Sequence, residues 1–459
     1  MEKWLEPALA YIPNWLAYQM RQSGQPGVSY AITYRGEVVA EGAFGHADLG
    51  AGVKMTPRHR QRVASHSKTF TAAGIMKLRE QGRLKLDDTV GQYVKGLHPE
   101  IAAATIAQLL SHTSGVIRDG FDSGQWQNRR PFLNEAEIRA DLKDGPTIPP
   151  NSRFKYSNHG YGLAGMVIAA ITGEAYNSWI AREIVAASGL TETQPDAPIG
   201  ANQPFARGHS SKILLGRRMV IEGENSTHDL ASATGFISTA ADLARFFASL
   251  SPEAEKSVLS VASRREMTRR QWREEHSSIE RWYGLGTISA SLAGWSFFGH
   301  SGGFQGYITR TICVPAEHLS ISVLTNAADG LSHFYLDGMV HILAAFRKRG
   351  APTREAARWK GRWWSLWGAF DLLPIGDRVV VANPAFFNPL MDASEIAPEA
   401  GTEGGVRQGR IVLAGGFANH GEKARLELDA RGKPTTFWHS GGKMLPERAA
   451  KAELRGISG

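Results

Sequence analysis

The chain has 459 residues, 42% of them hydrophobic and 21% charged, which is typical of a globular protein rather than a disordered one. This length predicts about two or three domains. The 52 basic and 44 acidic residues give a net charge of +8, but the basic residues are spread in short clusters, so we predict neither a nucleic-acid nor a membrane partner.

The N-terminal segment contains acidic Glu2 and Glu6 and an internal Pro13, and therefore lacks the basic and apolar regions of a signal peptide. No stretch has the roughly 18 uninterrupted apolar residues of a membrane-spanning helix. The single cysteine, Cys313, lies in an apolar run, which predicts a buried strand residue and excludes an intrachain disulfide. We predict a cytoplasmic protein, or a periplasmic one if an export signal has been removed.

The first half of the chain predicts two strands and a buried helix. Residues 5–22 have the pattern of an amphipathic helix, and residues 28–45 alternate across Arg35-Gly36 as a β-hairpin. From Ser67 a run with a wide apolar face leads to Gly82, which is placed as a C-terminal cap, so a buried helix is expected there.

The middle of the chain, residues 86–250, consists mainly of helical patches broken by Pro and Gly loops. Strands return late and a closing helix follows; the predicted segments are 283–290, 295–300, 307–315, 319–327 and 334–346. Two early strands, a helical middle and several late strands predict an α+β domain over residues 1–346, whose antiparallel sheet joins both ends of the domain.

After Phe346 the chain changes character. Residues 347–362 are charged and interrupted by Pro and Gly, which predicts a linker. Residues 363–459 alternate short strand patterns with Gly, Pro and Asp turns, so we predict a small all-β antiparallel barrel as a separate domain.

The sequence lacks the common metal, redox and nucleotide motifs H-E-x-x-H, C-x-x-C and G-x-x-x-x-G-K-[ST]. Its 15 histidines have no ligand spacing. We therefore expect no cofactor and no metal, and a serine-based mechanism becomes the leading hypothesis.

Ser65-His66-Ser67-Lys68 matches the S-x-x-K pattern, in which a serine opens a helix and a lysine lies one turn later on the same face. A lysine buried at a helix N-terminus loses its proton more easily and can then activate the serine hydroxyl. The pattern also occurs at Ser152/Lys155 and Ser440/Lys443, but only Ser65 precedes a long apolar helix. On this motif alone, an ordinary helix N-cap is as good an interpretation of Ser65 as a nucleophile.

Two further elements follow in the chain. Tyr156-Ser157-Asn158 stands in a loop before an apolar helix, where a tyrosine near a lysine could hold a lowered phenol pKa and relay protons, and an asparagine could orient the lysine. Without the other motifs, a packing tyrosine and a turn asparagine are the simpler interpretation. The third element, His300-Ser301-Gly302, lies on a late strand.

In this order the three elements resemble the motifs of the penicillin-recognising serine hydrolases: class C β-lactamases, DD-peptidases, D-aminopeptidases and related esterases. Flanking segments are similar too, including LLSHTSG at 109–115, GFISTAADLARF at 235–246 and YGLG at 283–286. The resemblance extends over about residues 15–345. It implies a serine β-lactamase/transpeptidase-like fold with a helical subdomain and a mechanism through an acyl-enzyme.

The resemblance also implies the roles of individual residues. Ser65 is the acylated nucleophile, Lys68 accepts its proton, Tyr156 is the general acid/base, and Asn158 contacts both the lysine and the substrate amide. The backbone N–H groups of Ser65 and Gly303 would form the oxyanion hole. Glycines at 302 and 303 would let the substrate backbone lie close to the strand.

His300 departs from the family pattern, because most β-lactamases and DD-peptidases have a lysine there to bind a substrate carboxylate. A histidine is mostly neutral near pH 7 and attracts a carboxylate only weakly. The sequence therefore favours a D-aminopeptidase- or esterase-like activity on a small molecule or short peptide. A β-lactamase or DD-peptidase, and a non-catalytic ligand-binding sensor, are the alternatives; the natural substrate and the oligomeric state stay open.

The C-terminal barrel favours the same branch, because D-aminopeptidase relatives carry lipocalin-like barrels after the hydrolase domain. We expect a loop of this barrel, within residues 383–395, to reach the active-site cleft and limit substrate size.

Ser301 itself also fits the G-x-S-x-G nucleophile pattern through Gly299 and Gly303. That pattern requires a helix after the serine and an Asp and a His downstream in order, whereas a strand pattern follows here. We therefore predict that Ser301 is not the nucleophile, and that His300 faces the substrate.

Overall fold

The computed structural model describes residues 2–213, 216–416 and 418–457. The α-helices are, in chain order, α1 (Leu5–Ser23), α2 (Ser67–Glu80), α3 (Val90–Tyr93), α4 (Pro99–Ala103), α5 (Ile106–Leu110), α6 (Glu135–Asp141), α7 (Asn158–Thr172), α8 (Tyr176–Ile180), α9 (Ala240–Ser249), α10 (Val261–Thr268), α11 (Ser332–Arg349), α12 (Arg354–Ala357) and α13 (Glu447–Ile457).

The strands alternate with these helices in the first half and follow one another in the second. They are β1 (Gly27–Tyr34), β2 (Glu37–Asp48), β3 (Val53–Lys54), β4 (Gln61–Arg62), β5 (Gly208–His209), β6 (Val220–Ile221), β7 (Ile237–Ser238), β8 (Trp272–Arg273), β9 (Trp282–Tyr283), β10 (Ile288–Leu292), β11 (Trp295–Phe304), β12 (Tyr307–Val314), β13 (Leu319–Thr325), β14 (Gly361–Ser365), β15 (Gly368–Ile375), β16 (Arg378–Ala382), β17 (Ser394–Pro398), β18 (Val406–Leu413), β19 (Lys423–Leu428), β20 (Pro434–His439) and β21 (Gly442–Met444).

The chain divides into two compact units. One is Gln25–Leu336, and the other combines the residues up to Gly24 with those from Asp337 onward. Helix α12 and the start of β14 lie inside the segment 347–362. The interpretation of that segment as a linker between domains 1–346 and 363–459 stays a prediction.

The unit Gln25–Leu336 is built on a nine-stranded antiparallel sheet in the order β3-β2-β1-β13-β12-β11-β10-β9-β8. The early hairpin pairs with the last strand of this unit, because β1 lies between β2 and β13. The hairpin turns at Arg35 and Gly36, whose φ angles of 53° and 84° suit the two left-handed positions of a tight turn. The predicted α+β architecture is thus confirmed.

Two local predictions in this sheet have different outcomes. Cys313 is buried in β12, as predicted, and burial raises the pKa of its thiol. The strand predicted over 283–290 is instead divided into β9 and β10, because Gly286 adopts φ 71° and turns the chain between them.

Helix α2 is the buried helix of this unit, which confirms its prediction. Eleven of its residues are buried, among them the polar Ser67 and Lys68. The ring of Phe70 lies stacked between Phe236 and Phe246, with centroid distances of 4.3 and 3.9 Å. Such packing fixes the position of the helix and of any functional group at its N-terminus.

The C-terminal strands form an eight-stranded antiparallel sheet in the order β14 to β21. Trp364 of β14 exchanges backbone hydrogen bonds of 2.7 and 2.9 Å with Leu445, which follows β21, and these bonds close the sheet into a barrel. Apolar side chains fill its interior, including Trp359, Trp363, Val379, Ile411 and Phe437. The predicted C-terminal barrel is confirmed.

Helix α1 packs within the same unit as the barrel. The side chain of Gln19 donates to the carbonyl oxygens of Pro384 (2.6 Å) and Phe386 (3.2 Å). The loop 383–395 is therefore held by α1, and its effect on substrate size stays a prediction. Within the described ranges, no helix has the length and apolar character required to cross a membrane.

Candidate active site

Ser65 lies on a short 3₁₀ turn, Ala64–His66, immediately before α2. The preceding residue, Ala64, has φ 47°, which is unfavourable for a residue with a Cβ atom. Such backbone geometry is typical of functional positions that the surrounding structure holds in place. The turn presents the half-buried Ser65 side chain to a cleft.

Lys68 lies in the first turn of α2, and its side chain is completely buried. Its Nζ atom is 3.2 Å from Ser65 Oγ, 2.7 Å from Asn158 Oδ1 and 2.8 Å from the carbonyl oxygen of Ala233. Ala233 belongs to the π-helical turn Ala231–Gly235, so three separate segments surround one amine. π-Helical turns are frequent at functional sites.

Burial lowers the pKa of Lys68 well below its usual value; the Asp119 carboxylate opposes this effect, and the Arg118 guanidinium adds to it. A neutral amine has two N–H donors and one lone pair. The two acceptor oxygens, Asn158 Oδ1 and Ala233 O, match the two donors. The lone pair is then left for the Ser65 hydroxyl, and this arrangement suits a general base.

Tyr156 donates its hydroxyl hydrogen to Ser65 Oγ over 2.7 Å. Burial is the largest influence on its phenol and raises the pKa above the usual value. The expectation of a lowered phenol pKa is therefore wrong. The Lys68 amine lies 4.8 Å from the centre of the Tyr156 ring, and a neutral amine there stabilises a phenolate little. Tyr156 is protonated and placed to donate.

Asn158 is the first residue of α7, and Ser157 caps the helix by accepting from the Gly160 N–H. The Asn158 amide oxygen accepts from Lys68, while its nitrogen donates to Asp119 Oδ1 over 2.5 Å. The structure thus joins Tyr156, Ser65, Lys68 and Asn158, in that order, in one chain of hydrogen bonds.

His300 lies on β11 in the wall of the cleft, but it is buried and both ring nitrogens are in use. Nδ1 donates to the carbonyl oxygen of Ser301 over 2.7 Å, and Nε2 accepts from the Tyr283 hydroxyl over 2.9 Å. Burial, followed by the nearby His66 and Lys68, lowers the pKa of His300 well below 6.5. His300 is thus a neutral residue of the cleft wall, as the sequence predicts, and its contact with the substrate stays a prediction.

The two glycines that follow on β11 have different surroundings. A Cβ atom on Gly302 would lie 2.2 Å from the carbonyl oxygen of Val63 and 2.6 Å from Thr309 Oγ1. A Cβ atom on Gly303 would meet only Ile308 Cδ1, at an ordinary 3.6 Å. Gly302 is therefore required by the backbone just before the Ser65 turn, and the expectation that it opens the strand for the substrate needs correction. Gly303 lines the cleft.

We expect Gly302→Ala to lower the reaction rate of Ser65 by roughly 10²-fold, because relief of the clash with Val63 must move the turn, and a displacement of about 1 Å costs that much. Gly303→Ala should lower the rate less and leave the free energy of unfolding within about 0.5 kcal/mol of the wild type. The rate of covalent labelling by a serine-reactive fluorophosphonate and urea unfolding measure the two effects. An equal and small effect of both substitutions would contradict this assignment.

The other serine motifs lack this environment. Ser152 donates its hydroxyl to the carbonyl oxygen of Pro149, and Lys443 forms an exposed ion pair with Glu453. Ser301 lines the cleft, and its backbone oxygen accepts from His300. The lysine–serine contact found at Ser65 distinguishes that match from the others.

The cleft has a volume of about 350 Å³. It is lined by Ser65, Arg118, Asp119, Trp126, Phe154, Tyr156, Asn158, Glu274, Arg281, Tyr283, Ile288, His300, Ser301 and Gly303. Its charged side chains form two ion pairs, Arg118 with Asp119 and Arg281 with Glu274. Sequence reasoning missed all four, because they lie in segments without a recognisable motif and reach the cleft only through folding.

Residues 12–346 match the model of the protein family described as Beta-lactamase. The chain belongs to the beta-lactamase family. Its resemblance to the penicillin-recognising serine hydrolases is thereby confirmed. Membership of this family explains why the three motifs occur in this order along the chain.

Two proteins with similar sequences match different lengths of this chain. Protein flp of Staphylococcus aureus (strain N315) is 26% identical over 324 residues, which cover 68% of this chain and 61% of flp. Penicillin-binding protein 4* of Bacillus subtilis (strain 168) is 30% identical over 162 residues, 35% of this chain and 36% of that protein. This chain thus matches less than two thirds of the length of either relative.

Among solved structures, the octameric penicillin-binding protein homologue from Pyrococcus abyssi superposes with a TM-score of 0.66 at 22% identity, over 95% of this chain and 99% of that one. Its coverage includes the barrel as well as the hydrolase fold. The D-stereospecific amidohydrolase from Streptomyces sp. has a TM-score of 0.58 at 26% identity, over 69% of this chain and 94% of that one.

Proposed function

We propose that residues 1–346 form a hydrolase domain that cleaves amide or ester bonds of small molecules or short peptides through an acyl-enzyme, with D-aminopeptidase- or esterase-like preference. In this proposal 347–362 is a linker and 363–459 a separate barrel domain. The observation that supports the proposal most directly is the position of Ser65 Oγ, 3.2 Å from a buried lysine amine and 2.7 Å from a protonated tyrosine.

In the acylation step, Ser65 Oγ attacks the substrate carbonyl carbon while its proton passes to the neutral Lys68 amine. The backbone N–H groups of Ser65 and Gly303 hold the oxygen anion that forms. Tyr156 then donates its proton to the leaving nitrogen or oxygen as the carbon–heteroatom bond breaks. Lys68 returns its extra proton to the Tyr156 oxygen, which restores both groups.

In the deacylation step, water attacks the ester carbonyl of the acyl-enzyme and gives a proton to Lys68. The bond to Ser65 Oγ breaks, and that oxygen receives a proton through the same lysine–tyrosine pair. The product acid leaves, and Ser65, Lys68 and Tyr156 return to their starting protonation states.

The charges of the cleft favour a substrate without a free carboxylate next to the reacting bond. His300 is neutral with both nitrogens engaged, and Arg118 and Arg281 each have an acidic partner. β-Lactams and DD-peptides carry such a carboxylate, so they fit this wall less well than amides, esters or peptides that begin with a D-residue. The D-stereospecific activity named for the Streptomyces structure supports this preference.

Turnover of a D-alanine nitroanilide, a short-chain nitrophenyl ester and a chromogenic cephalosporin tests the proposal. We expect the wild type to hydrolyse the first two faster than the third, Ser65→Ala to lose turnover, and Ser301→Ala to keep most of it. Faster turnover of the cephalosporin would favour a β-lactamase. If the wild type hydrolyses none of the three and its Ser65 resists a fluorophosphonate, a non-catalytic ligand-binding sensor is the better interpretation.

A further inference from the structure

The carboxylate of Asp119 lies in the loop between α5 and α6 and contacts the cleft with only 15% of its side chain exposed. Its Oδ1 atom accepts from Asn158 Nδ2 at 2.5 Å and from the Trp126 indole N–H at 3.0 Å. Its Oδ2 atom accepts from Arg118 Nε at 2.8 Å. Three donors from separate positions therefore fix the orientation of this carboxylate.

The backbone also joins this loop to the start of α7. The Asn158 N–H donates to the carbonyl oxygen of Arg118 over 2.9 Å, and the Ser157 hydroxyl donates to that of Ile117 over 2.6 Å. Asp119 and Asn158 thus face each other in a fixed register, although they are 39 residues apart in the chain.

A carboxylate accepts hydrogen bonds but does not donate them, whereas the two ends of an asparagine amide differ. The partner across from Asp119 must therefore be the Asn158 nitrogen, and the amide oxygen is left to accept from Lys68 at 2.7 Å. In the flipped orientation the amide N–H₂ would face the Lys68 amine. One of its hydrogens would then compete with Ser65 for the amine lone pair.

We propose that Asp119 is a positioning residue for the reaction at Ser65: it holds the Asn158 amide with its oxygen toward Lys68, which directs the amine lone pair to the Ser65 hydroxyl. The inference rests on the proposed function, since it concerns the base of that reaction. Asp119 acts through Asn158 and has no step of its own in the chemistry.

The charge of Asp119 has a second, measurable effect on the same amine. It raises the pKa of Lys68 against the larger effect of burial. The other titratable and charged groups around this amine come from the segments packed against α2 and are His112, Arg118, Tyr156, Tyr161 and His300. Because Asp119 is the negative group of this set, its neutralisation should lower the pKa of Lys68 further.

The experiment follows covalent labelling of the full-length protein by a fluorophosphonate with intact mass spectrometry, as a function of pH. In this reaction Ser65 Oγ bonds to phosphorus, fluoride leaves, and the serine proton passes to Lys68. We expect Asp119→Asn to lower the rate on the high-pH plateau at least about tenfold, the effect of one well-placed interaction of about 1.4 kcal/mol. The midpoint of the rising limb should move to lower pH.

Asp122→Asn is the matched control, because Asp122 lies in the same loop, accepts from the Gly124 N–H and pairs with Arg130 at its exposed surface. It should keep the wild-type rate within about twofold and the same midpoint. Asp119→Glu retains the acceptor and the charge and should keep the midpoint. Asp119→Ser also removes the carboxylate, but it adds no amide, and it should have the same effect as Asp119→Asn. The test therefore still works if one of these two variants does not fold.

A double-mutant cycle tests whether Asp119 acts through Asn158. In the Asn158→Ala background, Asp119→Asn should change the plateau rate less than about twofold. An equal loss in both backgrounds, or a wild-type rate and midpoint in Asp119→Asn and Asp119→Ser, would overturn the inference while leaving the proposed function intact. A wild type that is not labelled at Ser65 would overturn both.

Discussion

Replacement of Lys68 by methionine is expected to slow acylation of Ser65 by about 10²- to 10⁴-fold, the usual contribution of a general base. Methionine keeps an unbranched chain in the buried space but has no amine to accept the serine proton. It also leaves the oxygens of Asn158 and Ala233 without the donor that they have in the wild type. Fluorophosphonate labelling and turnover of a nitrophenyl ester measure the loss.

The role of Lys68 as a base also predicts how the rate of acylation changes with pH. Burial lowers the pKa of Lys68 well below 10.5, and only the unprotonated amine can act as the base. The wild-type rate should therefore rise as the pH increases through that lowered pKa and stay high above it. In Lys68→Met this limb should disappear, because the group that titrates is gone.

Lys77→Met is the control on the same helix, since the Lys77 amine donates to the carbonyl oxygen of Val258 away from the cleft. It should keep the wild-type rate and pH limb. If Lys68→Met retained both the rate and the limb, Lys68 would not be the base.

Replacement of Arg62 by methionine is expected to lower the free energy of unfolding by about 3–5 kcal/mol, because it leaves the buried Asp196 carboxylate without its positively charged partner. Arg62 and Asp196 form an ion pair at 3.0 Å with only 0% and 2% of their side chains exposed. Arg62 also donates to the carbonyl oxygens of Gly223, Asn225 and Gly235. Urea unfolding of the full chain measures the change.

The site should respond to the same substitution. Arg62 donates to the carbonyl oxygen of Gly235, which ends the turn that contains Ala233. The Ala233 oxygen accepts from Lys68, so loss of the Arg62 contacts should make the position of the Lys68 amine less well fixed. Arg182→Met is the comparison, because Arg182 pairs with Glu174 at the surface, where water screens the two charges, so its loss should change the free energy of unfolding much less. Equal effects of the two substitutions would show that burial of the Arg62 pair is not the reason for its contribution.

Much of the fold follows from local patterns. Local residue patterns and turn residues predict three parts of the fold. These are the hairpin at Arg35-Gly36, the apolar helix after Ser67 and the alternating strands of the C-terminal barrel. The strand predicted over 283–290 is interrupted because Gly286 adopts a left-handed conformation there.

The sequence by itself determined which groups could do chemistry: a serine and a lysine one turn apart, a tyrosine and an asparagine before a helix, and a glycine-rich strand, in the order of one family. These are matters of residue type and spacing. Only the tertiary structure decided their states, because pKa and hydrogen-bond partners depend on burial and on segments far away in the chain. Thus burial lowers the pKa of Lys68 and raises that of Tyr156, His300 is hydrogen-bonded to Tyr283 in the wall of the cleft, and Gly302 leaves room for the Val63 carbonyl group. Asp119 joins the site only because folding places it opposite Asn158.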